Sequence, residues 1–167
     1  MANKRVFTQT YGVVGAIIEK DGKFLLVREN MPEYPEAHNK WNQPAGWVEV
    51  GEEPIAACER EVKEETGLEF KATGLLGVYS LHKDNIAEYV GQPGSHAIKL
   101  IFRGEFSGEL EEPGLDEEIS ERRWFSPEEI YTMEFDQLRD MDIKQEVKDY
   151  LAGKDYPLEL VRHTVVK

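Results

Sequence analysis

Three glutamates at helical spacing, Glu61, Glu64 and Glu65, stand beside Arg60 near the middle of the chain, with Gly46 ahead of them and Gly67 just behind. On an α-helix each residue advances about 100°, so the three carboxylates share one face within roughly 100° of arc. Like charges at these intervals repel, raise one another's pKa values and weaken the helix, and a bound cation removes that conflict. Clustered hard oxygens suit Mg²⁺, which keeps several waters and takes one or two protein carboxylates together with substrate phosphate. That is phosphate chemistry. Taken alone, an acidic run on a helix is most often a solvated face, so the residues around it have to argue for a site.

They do so by fixing where the helix begins, ends and docks. Ile55, Cys58, Val62 and Thr66 fall on the arc beside the carboxylates and give the helix an apolar stripe to bury. Pro54 fits the first helical position, Gly67 the left-handed C-terminal position, and Leu68 the apolar contact that follows it. Glu53 takes the N-cap position, where a short hydroxyl or Asp side chain would cap better. Ala57 shares the carboxylate arc and would leave room there for a metal. Gly46, after Pro44 and Ala45, marks a bend or a close approach of the backbone.

The rest of the chain reads as strands around this helix. Tyr11 to Lys20 and Lys23 to Glu29 are β-rich runs joined by the hairpin signal Asp21-Gly22. Asn30 to Gln43 reads as a loop, Trp47 to Val50 as a short strand and Pro54 to Thr66 as the acidic helix. Glu69 to His82 and His96 to Phe106 are longer strands, with a turn at Gly91-Gln92-Pro93-Gly94 between them. An acidic loop, Ser107 to Ser120, leads into a strand at Arg122 to Phe125. Ser126, Pro127 and Glu129 spell a helix start with a capping box. From Asp136 to Leu151, in the last helical stretch, Ile143, Val147, Tyr150 and Leu151 make an apolar face that stops at Gly153, and Tyr156 to Val166 reads as extended. This order predicts an α/β protein, a mixed β-sheet between helices in an α/β/α sandwich.

The segment Gly46 to Leu68 resembles the Nudix box, whose pattern is G, five residues, E, seven residues, then R-E-U-x-E-E-x-G-U with U aliphatic. Gly46, Glu52, Arg60, Glu61, Val62, Glu64, Glu65, Gly67 and Leu68 fill all nine specified positions. The flanking order of elements resembles the family over roughly residues 8 to 135. The resemblance implies a Nudix-like fold and a phosphoric anhydride hydrolase dependent on Mg²⁺ or Mn²⁺. It implies Glu64 and Glu65 as the principal metal ligands, Glu61 as a further ligand or the residue orienting the water, and the Ala45 carbonyl as a backbone ligand. Arg60 would hold the carboxylates in place, together with Glu52. Glu118, with Glu117 as fallback, is the candidate for a further catalytic carboxylate on the loop before the last strand.

The phrase WNQPAGWVE resembles a Nudix branch of small phosphatases acting on nucleoside di- and triphosphates and thiamine phosphates, which reads WNQPAGHLE there. Trp47 and Val48 are departures from it. ADP-ribose or nucleotide-sugar hydrolysis is the alternative, and a nucleotide-sensing Nudix domain without catalysis is the alternative of another class. The intact box favours an enzyme. Arg28, Trp47 and Tyr79 are the candidate substrate contacts, with Trp41, Tyr34, Lys40, Lys83 and Lys99 as further aromatic or basic residues in reach.

Bulk properties narrow the partners. The 167 residues suit one domain, and 33 acidic against 20 basic residues give a net charge of −13, which repels DNA or RNA at long range. A small phosphorylated substrate is compatible because a bound cation reverses the local field. Cys58 is the single cysteine, so no intrachain disulfide forms, and an intracellular, cytoplasmic setting is expected. Gly12 to Ile18 is apolar but too short to span a membrane. The Tyr156 to Val166 segment leaves a homodimer strand and a monomer core as open readings.

Overall fold

The computed structural model describes residues 10–83, 95–110 and 117–166. The turn expected at 91–94 and the centre of the acidic loop, 111–116, lie outside the described residues. Strand β1 is Thr10–Ala16, β2 Glu19–Lys20 and β3 Lys23–Glu29. Asp21 and Gly22 both take positive φ, 51° and 77°, and close the two-residue β2–β3 hairpin with Lys20 opposite Lys23. The run expected as one strand from Tyr11 to Lys20 is divided: Ile17 and Ile18 lie buried between β1 and β2, which belong to different sheets.

Strands β4 (Trp41–Asn42) and β5 (Ala45–Trp47) precede helix α1 (Pro54–Thr66), and β6 (Glu69–Lys83), β7 (Ser95–Ser107) and β8 (Ile119–Phe125) follow it. The first sheet runs β5-β1-β7-β6, with β1 and β7 parallel and the other pairs antiparallel. The second is antiparallel: β3 pairs with β8 along one edge and with β2 and β4 along the other. Neighbours on β7 point to opposite faces, so Phe102 joins a core with Cys58 and Val62 of α1, while Ile101 joins one with Ile143 and Val147. The fold is therefore the mixed α/β/α sandwich, with a second, antiparallel sheet that the sequence reading did not separate.

Helix α1 begins and ends where Pro54 and Gly67 predict. Glu53 does cap it, accepting from the Ala56 N–H at 2.9 Å, because its longer side chain folds back over the first turn. Gly67 has φ 79° and donates its N–H to the Lys63 carbonyl. The strand expected at Trp47 to Val50 lies earlier: Ala45–Trp47 pair with β1, after which Glu49 donates its N–H to the Glu52 carboxylate and Gly51, at φ 86°, turns the chain.

Helix α2 (Pro127–Thr132) carries the reciprocal Ser126–Glu129 capping box, and α3 (Ile143–Leu151) buries Ile143 and Val147 but begins later than the expected Asp136, because residues 137–139 turn to bond with Trp41. Leu151, assigned to that apolar face from sequence, is 56% exposed at the last turn. The Tyr156 to Val166 segment is no strand. Tyr156 makes one bridge to Leu75, residues 158–160 form a 3-10 turn, and Leu158 and Val161 pack on the α1 core. Among the described residues no helix is long and apolar enough to cross a membrane, which says nothing of a strand-built barrel.

Candidate functional site

Helix α1 docks its Cys58, Val62 and Thr66 stripe on the first sheet, and this turns Glu61 and Glu65 toward a cavity of about 610 Å³. Gly46 makes the approach possible: a Cβ there would stand 2.0 Å from Glu61 Cδ, so any side chain would displace the carboxylate. The neighbouring Ala45 N–H donates to Glu65 Oε2 at 3.0 Å, and the Arg122 guanidinium Nε donates to the Glu65 carbonyl. Ala57, assigned from sequence to the carboxylate arc, packs fully buried in the α1 core and lines nothing.

Arg60 is the hub on the outer side of the helix. Its guanidinium grips both oxygens of Glu52 at 2.8 and 3.1 Å and donates to the Trp47 carbonyl at 3.3 Å. The remaining nitrogen meets Glu61 Oε1 at 2.7 Å and Glu64 Oε2 at 2.9 Å. The Arg60 hydrogen bond holds the Glu52 carboxyl down to about 2. Burial pushes Glu61 up, with Arg60 pulling the other way. Glu65 is driven well above the usual carboxylate range, chiefly by burial and then by the charge of Glu29, against the Ala45 N–H.

The three box glutamates are therefore not equivalent. Glu61 and Glu65 line the cavity, while Glu64 has a side chain 56% exposed, turned to Arg60 and outside the lining. Among the described residues no three His, Cys, Asp or Glu side chains are drawn together as a metal cage. The donor chemistry still fits a hard divalent cation: two cavity carboxylates, Glu61 and Glu65, sit where burial opposes their charge. A third box ligand requires Glu64 to exchange Arg60 for the cation.

Glu29 was missed by sequence reasoning. It ends β3 at a bulge, 3% exposed, ion-paired to Arg139 and accepting from Asn42 Nδ2 at 3.2 Å. Its only sequence signal is a charge closing an otherwise apolar strand. Arg139 and Asp140 were missed as well. Asp140 pairs with Lys83 and lies 3.5 Å from Lys99, and all three line the cavity. Glu118 lies at the cavity wall on the turn before β8, and its carbonyl accepts from the Asn30 N–H at 2.7 Å. Glu117 lines only an adjoining pocket, which also includes Glu118.

Of the expected substrate contacts, the structure brings one to the cavity. Trp47 is half-exposed on its wall, 5.0 Å from Tyr11 ring to ring. Arg28 is turned away, paired to Glu121 at 3.5 Å, bonded to the Asn39 carbonyl and lying over the Trp41 ring. Tyr79 faces α3, where its hydroxyl donates to Asp149 at 2.9 Å and its ring packs on the second core, outside the cavity lining. Tyr34 lines the cavity, and Trp41 packs edge-on against Phe125.

The profile of the NUDIX domain matches residues 8–146 of this chain. The chain belongs to the Nudix family. A solved Nudix hydrolase from Nitrosomonas europaea is 35% identical with a TM-score of 0.79, covering 93% of this chain and 98% of that one. A MutT Nudix hydrolase from Burkholderia pseudomallei is 28% identical with a TM-score of 0.56, covering 72% and 86%. The Escherichia coli K12 protein named phosphatase NudJ is 27% identical over 148 residues, 89% of this chain and 88% of its own length. The chain is thus a Nudix hydrolase acting on a phosphate-containing substrate.

Proposed function

We propose that this hydrolase cleaves a diphosphate linkage in a small nucleoside-diphosphate-type molecule, a nucleoside di- or triphosphate or a thiamine phosphate, with Mg²⁺ or Mn²⁺. The observation that carries the reading is the pair of cavity carboxylates, Glu61 and Glu65, whose burial is relieved by a cation and whose cavity also presents the aromatic face of Trp47. The likeness to the protein named phosphatase NudJ supports release of phosphate as the outcome.

Glu61, Glu65 and Glu64, with the Ala45 carbonyl, would hold the metal, which supplies positive charge at the phosphoryl oxygens and acidifies bound water. Arg60 sets the spacing of Glu61 and Glu64 against Glu52 and fixes the strand that carries Trp47 through its carbonyl. Trp47 offers a ring face for stacking at a fixed distance from the carboxylates. Glu118, across the cavity on the β8 turn, is the proposed general base.

Phosphate release from a panel of nucleoside di- and triphosphates, thiamine diphosphate and ADP-ribose, with Mg²⁺, Mn²⁺ or a chelator, tests this. Turnover of the first groups that stops on chelation is expected. Activity surviving chelation, or ADP-ribose as the best substrate by kcat/KM, overturns it.

A further inference from the structure

Glu29 and Asn42, both in the cavity wall, each keep one buried acceptor that no protein group satisfies among the described residues. Both residues are 3% exposed and both line the cavity. Glu29 Oε1 is taken by Arg139 and by Asn42 Nδ2, which fixes the orientation of the amide and leaves Glu29 Oε2 and Asn42 Oδ1 without a hydrogen bond. The two side chains come from different strands, with Asn42 opposite Val27 and Glu29 just beyond the β3 bulge, so the backbone pairing itself sets them side by side. A buried acceptor left unmade carries the full penalty of its lost hydration, and a ligand donor recovers it.

A cation is the poorer match for this pair. Arg139 already compensates the Glu29 charge and Asn42 brings none, so an added divalent cation would find little net negative charge at this pair. A neutral N–H donor needs none. A carbonyl oxygen directed here would face the two acceptors with its own lone pairs. The same cavity also carries the half-exposed Trp47, which suits a flat ring.

We propose that Glu29 and Asn42 form a donor-reading subsite for the ring of the substrate, selecting heteroaromatic rings that carry an amino group over matched rings without it. The proposal rests on the diphosphate-hydrolase reading for the site, but concerns the ring rather than the bond cleaved. The substrate class it names is an amino-bearing purine or pyrimidine phosphate.

The test separates the two readings by measuring binding without turnover. Calorimetry with a chelator present compares guanosine with inosine monophosphate, which differ by the 2-amino group, and cytidine with uridine monophosphate. The amino-bearing member of each pair is expected to bind about ten- to a hundredfold more tightly. Glu29→Gln, which puts an amide in place of the carboxylate, should bring the ratio toward one, and so should Asn42→Ala, which leaves the Arg139 ion pair in place should the first variant fail to fold. Equal affinities within each pair for the unmodified protein overturn the proposal, whatever the hydrolysis panel shows. Unequal affinities that persist in folded Asn42→Ala and Glu29→Gln proteins also overturn it. Selective binding without any metal-dependent hydrolysis would leave the subsite standing and remove the hydrolytic reading instead.

Discussion

Two clusters in this molecule each set one cation against three carboxylates, in opposite surroundings, with Lys83 also reaching one carboxylate of the second. Arg60 meets Glu52, Glu61 and Glu64 on the outer side of α1, with its side chain 30% exposed. Lys99 meets Asp140, Asp142 and Glu146 at 3.5, 3.0 and 3.0 Å and is 1% exposed. The planar fork of Arg60 satisfies its partners with hydrogen bonds. Lys99 hydrogen-bonds to Asp142, whereas Glu146 lies outside hydrogen-bond geometry with both oxygens unmatched. The difference teaches that charge count does not decide a cluster's role. Solvent access leaves the Arg60 cluster free to exchange partners, and burial makes the Lys99 cluster a fixed joint between β7 and α3.

The sharpest way to break this contrast is to remove the buried cation. Lys99→Met leaves Asp142 and Glu146 without their counter-charge, while Lys83 still holds Asp140, and a loss of about 3–5 kcal/mol in unfolding free energy is expected. Urea denaturation followed by circular dichroism reads it. A loss under about 1 kcal/mol would mean that the carboxylates simply take up protons and that burial does not set the cluster's worth.

On the other side of the contrast, substitutions should cost activity and spare the fold. Glu65→Gln is expected to lower kcat by about a hundred- to a thousandfold. Because burial already pushes Glu65 toward its protonated form, the same change should leave the melting temperature unchanged or raise it. Glu64→Gln separates the two places Glu64 can occupy. A loss similar to that of Glu65→Gln shows that it leaves Arg60 to serve the metal, whereas a change of a few-fold leaves it a surface ion-pair partner.

What was legible in the sequence follows the same division between local and distant forces. Pro54 and Gly67 bound α1, Asp21-Gly22 closes a hairpin and Ser126 with Glu129 starts α2, each through contacts within a few residues. The Glu29–Arg139 pair spans 110 positions, and no spacing rule reaches that far. Nor could helical periodicity alone turn Glu64 outward, because Arg60 and the approach of Gly46 decide which glutamates enter the cavity. Tyr79 illustrates the limit on a strand: the residue type suits stacking, but α3 packs across it and takes its hydroxyl. The apolar tail was ambiguous because its side chains pack as a 3-10 turn, which has neither strand nor helix periodicity.

The buried cluster also predicts a pH dependence. Burial raises Glu146 from 4.5 to about 7, with Lys99 opposing. Between those values the folded chain holds a proton that the unfolded chain has released, so this group's stabilisation is complete below the unfolded pKa and is lost as pH rises through the folded one. Glu146→Gln should flatten the fall in stability between about pH 5 and 7 by about 2–3 kcal/mol. Urea midpoints at both ends of that range measure it, and an unchanged slope would place the titration elsewhere.

The smallest effect is the most diagnostic for the exposed cluster. Arg60→Lys keeps the charge but loses the fork that holds both Glu52 oxygens while reaching Glu61 and Glu64. If geometry is what Arg60 supplies, kcat should fall by about tenfold with KM nearly constant, and stability should change by less than about 1 kcal/mol, as befits a partly exposed ion pair. A lysine that restored full kcat would show that the charge alone suffices. A rise in KM at constant kcat would instead make Arg60 a substrate contact, and the likeness between the two clusters would then end at their composition.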